Sequence, residues 1–124
     1  MIGTGVGWAG LPAEHAVYRS RGGNGSLDCA RVTFQPPDLQ YNKGGYWSLT
    51  AYSGTGWLMS DQNSVDSTMA KLNTDGTVTV GFNCEDVANN IEVTDKKWNF
   101  AVRAYRPADV KNVVSQMEAF PEVQ

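Results

Sequence analysis

The sequence predicts an all-β protein, a mostly antiparallel, jelly-roll-like β-sandwich with a short C-terminal helix. Short apolar runs recur along the chain, and turn-forming residues separate them at nearly regular spacing. Strands and helices do not alternate in the way that builds a parallel sheet. A length of 124 residues is that of about one domain. We therefore expect residues 1–124 to form a single β-sandwich domain, with residues 1–13 as a glycine-rich arm.

Three strands are predicted in the N-terminal half of the chain. A helical turn is expected at residues 11–15, where a proline suits the first helical position. The first strand covers residues 16–19 and ends in a turn rich in glycine and asparagine, which accept positive φ. The second strand covers residues 27–34 and is stopped by a pair of prolines. The third, residues 46–53, has the clearest alternation of apolar and polar side chains.

The C-terminal half is predicted to contain a hairpin, a loop, a strand and a helix. Asp75-Gly76 lies between the runs 69–72 and 77–82, and such a dipeptide is a strong signal for a hairpin. Residues 84–95 are polar and predict a loop, whereas residues 97–105 alternate again as a strand. Apolar residues then recur at helical spacing, which predicts a helix after Pro107. The side chains expected to be buried in the core are Trp47, Leu49, Val80, Phe82, Phe100 and Val102.

The two cysteines are predicted to be free thiols rather than a disulfide. Cys84 continues the inward phase of Val80 and Phe82, but Cys29 falls on the phase opposite to Val32 and Phe34. A disulfide requires its two Cβ atoms to lie close together. A bridge between Cys29 and Cys84 is therefore the less favoured alternative.

Charge and hydropathy exclude several classes of partner. The net charge of -3 argues against a nucleic-acid-binding protein, which would usually present a basic face. No run approaches the roughly 20 apolar residues that cross a bilayer, and the N-terminus lacks the features of a secretory signal. We therefore expect no nucleic-acid or membrane partner and a cytoplasmic location.

Few residue combinations in the sequence could carry catalysis. His15 is the only histidine, which excludes sites built from several histidines. There is no Gly-x-Ser-x-Gly motif and no phosphate-binding loop, so we expect no metal site and no cofactor. The remaining catalytic candidates are Asp61, Asp66 and Glu85, which could bind a cation or act as acid and base. Carboxylates at such positions more often form turns.

The outer phases of two predicted strands carry aromatic and basic side chains. Tyr46 and Tyr52 alternate with the apolar residues of one strand, and Arg103 and Tyr105 share the outer phase of another. If both phases face the same way, they form a surface suited to a sugar ring, a partner subunit or a second domain. Cross-strand pairs that merely cover an open sheet are an equally good explanation.

Several motifs resemble those of a known family. In order they are Tyr46-Trp47-Ser48-Leu49-Thr50-Ala51-Tyr52, Gly56-Trp57-Leu58-Met59, Asn73-Thr74-Asp75-Gly76-Thr77-Val78-Thr79-Val80 and Arg103-Ala104-Tyr105-Arg106-Pro107. Together they resemble the C-terminal domain of a bacterial two-domain family, whose domains of unknown function are numbered 1254 and 1214, over residues 14–121. The resemblance implies a jelly-roll-type sandwich and brings no catalytic residues. The segments 61–67 and 97–100 depart from the family pattern, and the N-terminal partner domain is absent from this sequence.

These observations favour a stand-alone β-sandwich that works in binding or assembly rather than in catalysis. We expect a homo-oligomer or a protein partner, and a carbohydrate or other small molecule is a second kind of ligand to consider. One alternative is a small carbohydrate-active enzyme that uses the loop carboxylates. Another is a protein carried by a phage or mobile element that contacts a host protein. The absence of a recognisable catalytic motif favours the non-enzymatic interpretation.

Overall fold

The computed structural model of the chain describes the backbone of Gly3–Val6 and all of residues 16–124. The helical turn expected at residues 11–15 lies outside the described residues, as does most of the predicted arm. The elements in chain order are β1 (Gly3–Val6), β2 (Ala16–Gly22), β3 (Ala30–Phe34), a 3-10 turn (Tyr41–Lys43), β4 (Tyr46–Tyr52), β5 (Ser64–Asp66), β6 (Val78–Phe82), β7 (Asn90–Ile91), β8 (Asn99–Tyr105) and α1 (Val110–Glu118).

The strands form two sheets, and the predicted all-β, mostly antiparallel class is confirmed. The larger sheet is antiparallel throughout and has the order β1-β2-β8-β4-β5. The smaller sheet has the order β3-β6-β7, in which β3 and β6 are antiparallel and the short pair β6 and β7 is parallel. The jelly-roll connectivity stays a prediction.

The hydrophobic core lies between the two sheets. Side chains alternate along each strand, so one face of β4 and β8 points to the core and the other points away. All six side chains predicted to be buried are buried, each with 2% or less of its surface exposed. Trp98 just before β8 joins them and stacks on Phe82, with a distance of 4.5 Å between ring centroids.

The C-terminal helix completes the layer opposite the larger sheet. It begins at Val110, and the side chain of Asp109 caps it by accepting a hydrogen bond from the backbone N–H of Asn112. Val113 and Met117 are its buried residues. Phe120, just beyond the helix, packs 4.8 Å from the ring of Phe34. None of the helices in the described part of the chain is both long enough and apolar enough to cross a membrane.

Two predicted elements of the C-terminal half differ in kind from what the structure shows. Residues 73–76 form the expected turn, with Asn73 N–H donating to the carbonyl of Thr77 at 2.7 Å. The run before that turn is no strand, however, because it meets β6 only at a single bridge between Leu72 and Val78. The segment predicted as a loop at residues 84–95 contains the short strand β7.

The prediction of free thiols is wrong, because Cys29 and Cys84 form a disulfide. Alternation fixes the direction of a side chain only within a strand, and Cys29 lies one residue before β3. Asn83 follows β6 in a left-handed conformation, with φ at 58°. This turn takes Cys84 out of the phase of β6 and brings its Cα within 4.7 Å of the Cα of Cys29.

Candidate functional site

Four of the chain's five tyrosines lie on the face of the larger sheet that points away from the core. The registers place them together, since Tyr46 is opposite Tyr105 and Tyr18 is opposite Arg103 on neighbouring strands. We call this surface the tyrosine face, and its members are Tyr18, Tyr46, Tyr52, Asp66, Arg103 and Tyr105. All six side chains are half-buried.

Contacts within the tyrosine face hold its side chains in place. Arg103 donates a hydrogen bond from Nη2 to the hydroxyl of Tyr52 at 2.9 Å, and its guanidinium carbon lies 5.7 Å from the centroid of that ring. The rings of Tyr46 and Tyr105 are 5.9 Å apart across the pair β4 and β8. Both β4 and β8 pair with a neighbouring strand on each side, so hydrogen bonds of the sheet hold the backbone that carries these side chains.

Asp66 at the end of β5 gives the tyrosine face its negative charge. The hydroxyl of Tyr46 donates to its Oδ2 at 3.3 Å, and the backbone N–H of Thr68 donates to its Oδ1 at 2.8 Å. Burial raises the pKa of Asp66, but the hydrogen bonds from Thr68 and Tyr46 lower it more, so the net pKa lies below the ordinary value. Burial and the neighbouring Asp66 raise the pKa of Tyr46. Asp66 is therefore a carboxylate and Tyr46 a neutral phenol near neutral pH.

The structure brings together the four residues predicted as a ligand or interface surface. Tyr46, Tyr52, Arg103 and Tyr105 share the tyrosine face, while their role in binding stays a prediction. Sequence reasoning missed Tyr18. The signal was its neighbour Val17, which is buried and so turns Tyr18 to the opposite face.

The three candidate catalytic carboxylates do not converge on one site. Asp66 belongs to the tyrosine face, whereas Asp61 is exposed in the connection between β4 and β5 and Glu85 is exposed after β6. Within the described part of the chain, neither Asp61 nor Glu85 is hydrogen-bonded to another carboxylate or to a base. Paired acid–base catalysis needs two such groups across one substrate, so this arrangement gives no basis for it.

One group of metal-ligating residue types occurs among residues 16–124. It consists of Cys29, Cys84 and Asp86, whose ligand atoms lie within 4.8 Å of one another. The two sulfurs are bonded to each other and are therefore not thiolates. In this state the group offers a metal ion a single carboxylate.

A protein-family comparison identifies the chain from its sequence. The family described as a protein of unknown function, DUF1214, matches residues 22–109. The chain belongs to this family. The match covers β3 to β8, and hence the smaller sheet, three strands of the larger sheet and most of the tyrosine face. A search of curated proteins gives no significant match.

Two solved structures have the same fold. The VPA0106 protein from Vibrio parahaemolyticus matches 94% of this chain with a TM-score of 0.74 and 23% identity, and the match covers 32% of that protein. An uncharacterized protein from Burkholderia cenocepacia matches 90% of this chain with a TM-score of 0.53 and 14% identity, over 28% of its length. This chain thus spans about three tenths of the length of each.

Proposed function

We propose that the protein is an assembly module in which the tyrosine face binds a second copy of the same chain. The observation that carries the proposal is the grouping of four tyrosines and an arginine on one sheet face. Tyrosine and arginine are enriched at the centres of protein interfaces. Their mutual contacts fix them before binding, which reduces the entropy lost on association.

The charge on the tyrosine face favours a second copy as the occupant. Arg103 and Asp66 give the face one positive and one negative group, with β4 between their strands. In a two-fold pair the same surface is used by both subunits, so it must be complementary to itself. The tyrosine face meets this condition, because it carries one positive and one negative group and each can face the opposite charge on the second copy.

The greater length of the solved relatives supports an interface on this domain. Their chains continue far beyond the region that matches this one. The sequence resemblance to a two-domain family agrees with that difference. A domain that contacts other parts of a longer chain carries a surface suited to burial, and a second copy of the chain is one occupant that such a surface could take.

Light scattering across micromolar concentrations of the purified chain tests the proposal. We expect a mass twice that of one chain. Tyr52→Ala and Arg103→Ala should each weaken the dimer by at least about tenfold, because each removes a central interface side chain. Tyr41→Ala is the matched control, since Tyr41 is the tyrosine that lies off this face, and it should leave the dimer unchanged.

Two results would contradict the proposal. A monomer at every concentration would exclude self-association and leave the face to a different partner. A dimer that persists unchanged in both variants, with folding confirmed by near-ultraviolet circular dichroism, would assign the interface to another surface.

A further inference from the structure

A polar cleft of about 380 Å³ lies on the outer face of the smaller sheet, on the side of the sandwich opposite the tyrosine face. Its floor includes Thr79 of β6, and Arg31 of β3 lines one edge. The loop after β6 and residues 71–73 form its walls, and they contribute Asp86, Lys71 and Asn73. This volume lies at the lower end of the range for small-molecule sites.

Gly81 allows the loop after β6, which is the first wall of the cleft, to lie close against the sheet. A Cβ at this position would stand 2.8 Å from the Cβ of Cys84 and 3.0 Å from that of Val87, so only glycine leaves room for the loop. The loop then places Asp86 beside Arg31. Nη2 of Arg31 donates to both carboxylate oxygens of Asp86, at 2.9 and 2.7 Å.

Asn89 fixes the other wall of the cleft, the segment that contains Lys71, to the sheet. This side chain is 8% exposed, and it accepts a hydrogen bond from the N–H of Lys71 at 2.8 Å. Its amide nitrogen donates to the carbonyls of Lys71 and Thr79 at 2.9 and 3.0 Å. The backbone of Lys71 is thereby held at the cleft, and its exposed side chain extends from a fixed point.

The cleft carries a local excess of positive charge in a protein whose net charge is -3. Arg31 and Asp86 neutralise each other, and Lys71 adds a positive charge that no carboxylate among the described residues pairs with. Arg31 uses Nη2 alone for Asp86, so Nε and Nη1 have no acceptor in the described part of the chain. Both cations therefore have donors available for an anion.

The rest of the lining suits a ligand rich in hydroxyl groups. The hydroxyl of Thr79 is hydrogen-bonded at 2.7 Å to that of Thr33, its partner on β3, and Asn73 of the lining donates to the hydroxyl of Thr79 at 3.0 Å. These groups can both donate and accept. Leu72, 62% exposed at the rim, offers an apolar surface for the C–H face of a sugar ring.

We propose that this cleft binds a small acidic saccharide, a sugar that carries one negatively charged group. The charged group would contact Lys71 and the unoccupied edge of Arg31. The sugar hydroxyls would contact Asp86, Asn73 and Thr79, and Leu72 would pack against the ring. The proposal is independent of self-association, because the tyrosine face belongs to the other sheet.

Nuclear magnetic resonance titration of the ¹⁵N-labelled full chain tests this proposal. The probes are galacturonate, glucose 6-phosphate, glucose and acetate. We expect saturable shifts at the amides of Lys71, Thr79 and Asp86, with a dissociation constant on the order of 1 mM for at least one acidic sugar. Glucose and acetate should each bind at least about tenfold more weakly, because glucose lacks the charged group and acetate lacks the sugar hydroxyls. The comparison of galacturonate with glucose 6-phosphate identifies the anion as carboxylate or phosphate.

Variants separate this cleft from other surfaces. Lys71→Gln should weaken the acidic sugar about tenfold, since it removes a charge-assisted hydrogen bond and leaves the backbone clamp intact. Lys111→Gln makes the same change on α1 and should leave binding unchanged. The absence of shifts with both acidic sugars would overturn the proposal. Equal binding by the Lys71→Gln variant, or binding of glucose as strong as that of the acidic sugars, would overturn it too.

Discussion

At the scale of single residues, Asp66 connects a strand end, a turn and the tyrosine face. Its carboxylate accepts hydrogen bonds from the turn residue Thr68 and from the Tyr46 hydroxyl. Its backbone carbonyl accepts from the N–H of Ala70 at 2.9 Å, which closes the turn after β5. The hydrogen bonds from Thr68 and Tyr46 favour the ionised carboxylate, so the folded state favours the charged form.

The stability of the protein should therefore depend on the ionisation of Asp66. The ordinary pKa of this carboxyl is 3.8, and folding lowers it. Its contribution to the free energy of unfolding is complete above about pH 3.8 and is lost as the pH falls through the lower, folded value. Asp66→Asn should lower the free energy of unfolding by about 1 kcal/mol at pH 7, and by less at pH values below the folded pKa of Asp66. Urea unfolding at a series of pH values measures both.

Asp61→Asn is the matched control for this experiment. It removes a carboxylate of the preceding connection, for which the described residues provide no hydrogen bond. The free energy of unfolding should stay within about 0.5 kcal/mol of the parent value. If Asp66→Asn lowers stability equally at every pH, folding does not lower the pKa of Asp66.

Alternation along the sequence predicted side-chain directions well within long strands and poorly at their ends. Trp47 and Leu49 alternate with polar residues inside β4, and both are buried as predicted. Cys29 stands outside β3, where the sheet no longer fixes the direction of a side chain. Cys84 likewise lies beyond β6, after the left-handed turn at Asn83. The disulfide was missed because both cysteines lie outside the strands whose alternation was used to orient them.

At the scale of elements, the turn after β2 is shaped around a buried tryptophan. Gly23 donates its N–H to the carbonyl of Trp98 at 2.9 Å, and a Cβ on Gly23 would lie 2.4 to 2.8 Å from atoms of the indole ring. The ring cannot move aside easily. It stacks on Phe82, and its Nε1–H donates to the carbonyl of Ser26 at 2.8 Å.

Gly23→Ala should consequently destabilise the fold by roughly 3 kcal/mol, because the added methyl overpacks the core. Gly25→Ala in the same turn is the control. No atom lies within 4 Å of its Cβ position, and the only cost is the left-handed backbone at φ 73°, worth about 1 kcal/mol. Thermal unfolding of both variants measures the difference. Equal losses would show that the core accommodates the added methyl beside Trp98, and that this contact does not require glycine at residue 23.

The elements that the sequence predicted best are those with one apolar and one polar face. β4 and β8 have this pattern, and their pairing creates most of the tyrosine face. β2 was predicted to end at residue 19, before the glycine-rich turn, whereas it continues to Gly22 with Arg19 and Arg21 on its inward phase. Arg21 is accommodated there because its guanidinium donates twice to the carbonyl of Phe120, at 3.0 and 2.6 Å. That contact joins residues far apart in sequence, so local patterning could not reveal it.

At the scale of the whole molecule, the two proposed surfaces lie on opposite faces of the sandwich. The tyrosine face belongs to the larger sheet and was partly predictable, because its residues follow a period of two along predicted strands. The acidic-sugar cleft was not predictable. Arg31, Lys71 and Asp86 come from three separate segments, which the close approach at Gly81 and the hydrogen bonds of Asn89 bring together. Variants of one surface should leave binding at the other unchanged.

The disulfide bears on where such a molecule can be found. It joins the segment before β3 to the segment after β6, across 55 residues of sequence. Disulfides of this structural kind persist in oxidising compartments and are rare in the reducing cytosol. The bond therefore favours an oxidising environment over the cytoplasmic location expected from the sequence.

The same bond should make a measurable contribution to thermal stability. A cross-link over a loop of this length is worth about 2–4 kcal/mol, mainly because it restricts the unfolded chain. Loss of the bond should lower the melting temperature on the order of 10 °C. We expect this fall on treatment of the parent chain with reductant and in the double variant Cys29→Ser with Cys84→Ala.

The double variant should show no further fall with reductant, which controls for other effects of the reagent. Alkylation and mass measurement confirm that both thiols are free in the reduced sample. A melting temperature that stays unchanged in that sample would show that the bond contributes nothing to the stability of the fold.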